Sequence, residues 1–354
     1  MACRLGLELF ARPHNDPVIR ISSLVVVFLC ICVLCCPESL LARDKNAISA
    51  IPRVDVHSHV GSVERMEHYV KVGEALKDQY GINLAVWIDL NFMRQSGGTE
   101  EEYLDAAGNR YKGRFLPCIN DFKISDGLRY PPEELAKWQQ KGIVGYKIWV
   151  GVSPLIDEAA NDATFTKMEE IGMIGASVHI SQPYPTKWCD DPVKFWEAHN
   201  AWERVLDRHP KLKVVNAHML DHFNSDEQLD YLMYVFETYP NVHVDLGARF
   251  QQFNRMDRDK LRNFMIKYSE RILFGTDIGG QPAEGKYRQV AESYYRAFQL
   301  LETDKVVKGG FFGRTESKGL ALPTDVLEKI YYRNAARLYP RVKDVLRNPG
   351  YQHP

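Results

Sequence analysis

The segment Asp55-Val56-His57-Ser58-His59 carries two histidines two residues apart. In an extended strand, residues i and i+2 point to the same side, so the His57 and His59 imidazoles converge. Two converging imidazoles are a good pair of ligands for a divalent metal. Alone the pattern is weak, because most short His-x-His pairs are surface or core histidines. Three further apolar runs end in residues of ligand type: Ser177-Val178-His179, Asn216-Ala217-His218 and Gly275-Thr276-Asp277. Another, GYKIWVG, carries Lys147 followed by Trp149. Four of the 11 histidines therefore fall where an apolar run ends, and that shared placement strengthens the pair. His68, His199, His209, His243 and His353 read as helix, wall or surface positions. His222, four residues past His218, reads as part of a loop over the same region.

These residues need a scaffold that brings many strand ends together. From Ile51 onward, short β-branched runs alternate with longer amphipathic stretches. The runs are Val54–His57, Ile82–Leu90, Arg114–Ile119, Ile143–Val150, Gly175–Ile180, Lys213–His218, Val242–Leu246 and Arg271–Thr276. The intervening periodicity predicts helices over Asp191–Arg208, with Val193, Trp196, Trp202 and Val205 near a 3.6-residue period, and over Asp226–Thr238, with Leu229, Leu232, Met233 and Phe236 on one face. Two more are predicted over Ala283–Leu301 and Asp325–Leu338. Strands alternating with helices imply a parallel sheet, and eight of them imply closure into a (β/α)₈ barrel, whose sites lie at the C-terminal mouth. An open doubly wound sheet would usually show a Gly-rich phosphate loop, and neither GxGxxG nor GxxxxGK[ST] occurs.

Composition narrows the function. Lys+Arg of 45 against Asp+Glu of 46 leaves a net charge of −1, which argues against nucleic-acid binding through a strongly basic surface. Five of the seven cysteines precede residue 37, and Cys118 and Cys189 lack the spacing of a disulfide framework or zinc cluster. The run Leu24–Cys36 (LVVVFLCICVLCC) follows Arg12 and Arg20. It suits the apolar region of a secretory signal and is short of the about 20 residues a membrane span needs. The expected organisation is residues 1–43 as a signal peptide or membrane anchor and residues 44–354 as the barrel. The protein is then exported, periplasmic or extracellular, or held at the membrane if the leader stays uncleaved.

From about Arg53 to Tyr339 the chain resembles the amidohydrolase superfamily, in particular metal-dependent hydrolases of the amidohydrolase 2 kind. The motifs that carry this are DVHSH, SVHIS, VVNAHML, ILFGTD and IYYRNAARLY, in that order. The resemblance implies a (β/α)₈ barrel with His57, His59, His179 and Asp277 around a divalent metal, and His218 as a further ligand or a catalytic residue. It marks Lys147 as a branch point. In binuclear members a lysine on the fourth strand is carboxylated and bridges two ions, whereas many mononuclear relatives, the decarboxylases among them, lack it.

The chemistry expected is activation of water by one or two ions, with Asp277 taking the proton and passing it to the leaving group. Imidazole and carboxylate ligands suit zinc, and also iron, manganese or cobalt. Asp55 is placed to orient a ligand from behind. Asn91, Arg94, Trp149, Tyr184, Lys187, Trp188, Arg249 and Phe250 lie after strands. Aromatic walls with one or two cations suit a small acid, ester, lactone or amide. Arg249 is the expected carboxylate clamp, with a surface pair to Asp245 or Asp257 as its alternative. Trp149 and Trp188 are expected substrate contacts. The leading expectation is hydrolysis of a C–O or C–N bond in a small-molecule substrate. Non-oxidative decarboxylation on the same fold and a catalytically silent ligand-binding barrel are the alternatives.

Overall fold

A computed structural model describes residues 48–93, 98–121, 128–149, 156–180, 191–278, 285–308 and 315–347. The expected leader, Arg94, Tyr184, Lys187 and Trp188 lie outside these residues. The chain divides into the units Met1–Ala47 and Ile48–Pro354, and the second contains every described element.

All eight expected strands form, and each pairs in parallel with the next in sequence. They are β1 (Arg53–Ser58), β2 (Leu84–Asp89), β3 (Phe115–Asp121), β4 (Gly145–Ile148), β5 (Ile174–Val178), β6 (Val214–Asn216), β7 (Val242–Asp245) and β8 (Ile272–Leu273). The last closes on the first. Val56 N–H donates to Phe274 O at 3.0 Å, and Asp277 N–H donates to His57 O at 2.9 Å. Every residue of these eight strands is buried, as the near-continuous apolar runs of a parallel sheet require.

Helices follow the strands: α1 (Val63–Tyr80), α2 (Glu100–Asp105), α3 (Pro132–Gln140), α4 (Ala159–Ile171), α5 (Pro192–Arg208), α6 (Asp226–Thr238), α7 (Arg258–Lys267) and α8 (Tyr287–Glu302). Helix α1 shows why such segments are helical. Ser62 caps its start by accepting from Arg65 N, Met66, Tyr69, Val72 and Leu76 form the buried stripe, and Gly81 ends it at φ 67°. Helix α6 matches its predicted span, with Leu229, Leu232, Val235 and Phe236 buried. The predicted face of α5 is corrected. Phe195, His199, Trp202 and Val205 face the core, while Val193 and Trp196 are exposed. At about 100° per residue, Val193 and Trp196 lie on the opposite side of the helix from Trp202 and Val205, away from the buried stripe.

The predicted closing helix is interrupted. It runs as α9 (Thr324–Glu328), a π-helical turn over Lys329–Arg333, and α10 (Asn334–Leu338), followed by α11 (Pro340–Arg347). These last helices plug the N-terminal end of the barrel. Leu338, Tyr339, Val342 and Val345 join a buried cluster with Val54, Val86, Leu116, Ala176 and Leu273 of the strands. Arg337 donates to Glu270 O and Arg341 to Gly142 O, both carbonyls lying just before strands. With that end sealed, the other end of the barrel is left for chemistry.

Candidate metal centre

The expected ligands come together. His57, at the end of β1, is buried, and its ring centroid lies 5.3 Å from that of His59, 5.7 Å from His179 and 4.9 Å from His218. The His179 and His218 centroids are 4.5 Å apart. Asp277 Oδ1 is 2.8 Å from His59 Nε2 and 3.3 Å from His57 Nε2, and its Oδ2 is 3.9 Å from His218 Nε2. Two groups have ligand atoms within 4.8 Å of one another: His57, His59 and Asp277, and His57, His179 and His218.

The residues fit a cation. His179 Nε2 is buried without a hydrogen-bond partner, and His57 Nε2 has Asp277 Oδ1 facing it at 3.3 Å. An orphaned lone pair inside a protein costs on the order of 1–3 kcal/mol, and a metal bond removes that cost. Burial alone would depress His57, yet Asp245 and Asp277 push its imidazole up to about 9. The site therefore favours positive charge at His57. Around it, burial holds His59, His179 and His218 below the usual histidine value, with Lys147 adding to the effect at His59 and His179. Neutral imidazoles are the ligand form. Burial would raise Asp277, but His57 and His59 hold it well below the usual carboxylate range.

Backbone strain accompanies this placement. Asp277 adopts φ 57°, and Ser177, just before the fifth-strand ligand, φ 53°. His218 adopts φ 57° and leads a left-handed run through Asp221. Left-handed residues other than glycine cost free energy and cluster where side chains are re-aimed for function.

Asp55 lies behind the ligand set. It accepts from His57 N at 3.0 Å, Thr276 N at 3.1 Å, Thr276 Oγ1 at 2.6 Å and the Tyr294 hydroxyl at 2.6 Å, tying β1 to the segment that carries Asp277. Lys147 is 1% exposed and donates to Ser177 Oγ at 3.5 Å. Ser177 Oγ is also 3.4 Å from His57 Nδ1, and the Lys147 charge acts on His59 and His179. Trp149 pairs with His179 as an isolated bridge, and its ring lies 5.0 Å from the His179 ring and 5.8 Å from Lys147 Nζ.

Other positions differ from expectation. Arg249 pairs with Asp221, not with Asp245 or Asp257, and its Nε donates to His218 O at 3.0 Å. Its guanidinium thus braces the turn that carries His218. Phe250 is fully buried against Phe253 and Phe274 in the core and does not line the mouth. His222 is buried among Phe195, Trp196, His199 and Tyr231.

Sequence reasoning missed two residues at the centre, Ser177 and Asp245. Asp245 Oδ2 is 3.0 Å from His57 Nδ1. The available signal was a carboxylate at the end of the seventh apolar run, the same position relative to its strand as the ligands on theirs.

Comparison with known proteins agrees with this architecture. A family model described as amidohydrolase matches residues 129–341. An uncharacterised TIM-barrel protein from Bordetella bronchiseptica superposes with a TM-score of 0.52 at 14% identity, covering 82% of this chain and 99% of that one. Dihydroorotase from Saccharomyces cerevisiae, solved in complex with 5-fluoroorotic acid, superposes with a TM-score of 0.51 at 13% identity, covering 82% of this chain and 85% of that one. At these identities the likeness is one of fold. No curated protein matches the sequence.

Proposed function

The chain belongs to the amidohydrolase family, and on that premise we propose that it hydrolyses a C–O or C–N bond in a small, carboxylate-bearing ester, lactone or amide. The observation that carries this is the pair of ligand groups sharing His57, one completed by His59 and Asp277 and the other by His179 and His218. The matched span holds Lys147, His179, His218 and Asp277; closure of the barrel adds His57 and His59, which precede it.

A divalent ion held by these residues supplies Lewis-acid polarisation of a carbonyl and lowers the pKa of water toward 7. Zinc suits the imidazole and carboxylate ligands. Asp277 Oδ2 is the oxygen turned away from His59, and it takes the proton of the attacking water and returns it to the leaving group. His218 Nε2 steadies the developing negative charge or holds a second ion. Trp149 walls the substrate on the β4 side. Arg249 takes the substrate carboxylate with the guanidinium N–H groups left over from Asp221 and His218 O.

The two groups share the single lone pair at His57 Nε2, which can serve one ion at a time, so a second ion would need a further ligand. A carboxylated Lys147, buried beside the ligand set, would supply it. Decarboxylation, the same-fold alternative, needs one ion. We infer export or membrane anchoring from the run Leu24–Cys36.

The test is metal content per purified chain by mass spectrometry, with turnover on a panel of carboxylate-bearing esters, lactones and amides before and after chelation. One or two ions per chain and hydrolysis that chelator abolishes are expected. A chain without bound metal overturns the reading, and carbon dioxide release in place of hydrolysis replaces it with the decarboxylase.

A further inference from the structure

One buried carboxylate gathers hydrogen-bond donors from three segments of the metal centre. Asp245, the last residue of β7, has no solvent exposure. Its Oδ2 faces His57 Nδ1 at 3.0 Å. Its Oδ1 accepts from the backbone N–H of His218 at 3.1 Å and of Gly247 at 2.8 Å. The Gly247 carbonyl, in turn, lies 2.8 Å from His218 Nδ1.

An ionised carboxylate and a carbonyl only accept. In the neutral form that can ligate a metal, the proton on each of these two rings is therefore held at Nδ1, and each Nε2 is left facing the centre. The space for this arrangement is made by glycines. A Cβ on Gly247 would stand 2.8 Å from both Asp245 Oδ1 and His57 Nδ1, and one on Gly275 would stand 2.9 Å from His57 Cβ. Contacts that short require the neighbours to move.

We propose that Asp245 is the positioning residue of the metal centre: it sets the tautomer of His57 and the backbone position of His218, and so holds the two ligand groups in one register. The inference rests on the proposed metal-dependent reading of the same site. Asp245 touches neither substrate nor ion; it acts through the two histidines.

An amide at this position separates positioning from simple support. Asp245→Asn keeps the shape and can still accept at Oδ1 from the two backbone N–H groups, but it presents an N–H to His57 Nδ1. His57 must then accept at Nδ1 and carry its proton on Nε2, which removes the ligand lone pair. Losing such an orienting partner typically lowers metal affinity about 10–100-fold.

The experiment titrates Zn²⁺ against a competing chelator into metal-stripped full-length protein, parent and Asp245→Asn, with thermal melting of both stripped proteins. A 10–100-fold loss of Zn²⁺ affinity with little change in melting is expected, and Asp245→Glu should recover part of it. Because the variants could fail to fold, nitrogen-15 NMR of the Zn²⁺-loaded parent provides an independent reading, with His57 and His218 expected to be protonated at Nδ1. Equal Zn²⁺ affinity in parent and Asp245→Asn, or His57 protonated at Nε2 in the loaded parent, overturns the inference while leaving the metal reading intact. A parent that takes up no metal overturns the proposed function itself, and this inference with it.

Discussion

At the scale of single residues, charge and protonation decide what the centre can do. Lys147 tests the number of ions. Lys147→Ala should lower the metal content to zero or one ion per chain, and acetate should partly restore both metal and activity by supplying the missing carboxylate. Unchanged metal content in the variant would show that the lysine is no bridge. Asp277→Asn keeps the shape but removes the base, so turnover should fall by about 10²–10⁴-fold with the fold intact; near-normal turnover with metal bound would remove Asp277 from that role. His57 sets a pH dependence for the metal-stripped protein. Its pKa rises from 6.5 to about 9 on folding, so its imidazolium form contributes stability that is full below pH 6.5 and lost as the pH climbs through about 9. The melting temperature of stripped protein should fall over that window, and saturating metal, which replaces the proton, should flatten the profile. A stripped protein with a level melting profile from pH 6.5 to 9 would contradict the charge balance described for His57, Asp245 and Asp277.

At the scale of elements, the strand ends carry the site, and the turns beyond them aim it. The turn after β7 has little room. Gly247→Ala should displace the Asp245–His57 pair and lower metal affinity, because the new methyl would meet both partners at 2.8 Å. Gly172→Ala is the control. Gly172 ends α4 at φ 67° with nothing within 4 Å of a new Cβ, so it should cost only about 1 kcal/mol of backbone strain and leave metal binding alone. Equal effects of the two substitutions on metal affinity, measured by chelator competition, would show that the turn after β7 tolerates a side chain.

At the scale of the whole molecule, the barrel unit begins at Ile48, and its first strand is secured from within that unit: Arg53 donates to Ile51 O at 2.8 Å and pairs with Glu302 at 2.7 Å. Removing residues up to about Arg43 should therefore leave a soluble, folded protein with its metal. Aggregation of the truncated chain where the full chain folds, followed by light scattering and circular dichroism, would assign the leader to the fold.

The linear order of residues determined the barrel and which histidines and carboxylate gather at its strand ends. Eight apolar runs alternate with amphipathic ones, and period and alternation are local properties that survive in a sequence. His57, His59, His179, His218 and Asp277 were legible for the same reason: each ends such a run. The helix face of α5 was misread because Val193 and Trp196 fall opposite Trp202 and Val205 at about 100° per residue, while the buried stripe runs through Phe195, His199, Trp202 and Val205. Arg249 and Phe250 are adjacent in sequence, yet one braces the His218 turn and the other fills the core. Asp245 and His57 are separated by 188 residues, and nothing in either strand's pattern announces the other. Their pairing exists only because the barrel closes and Gly247 and Gly275 leave the space, which is why the ligands could be read from the chain and the group that orients them could not.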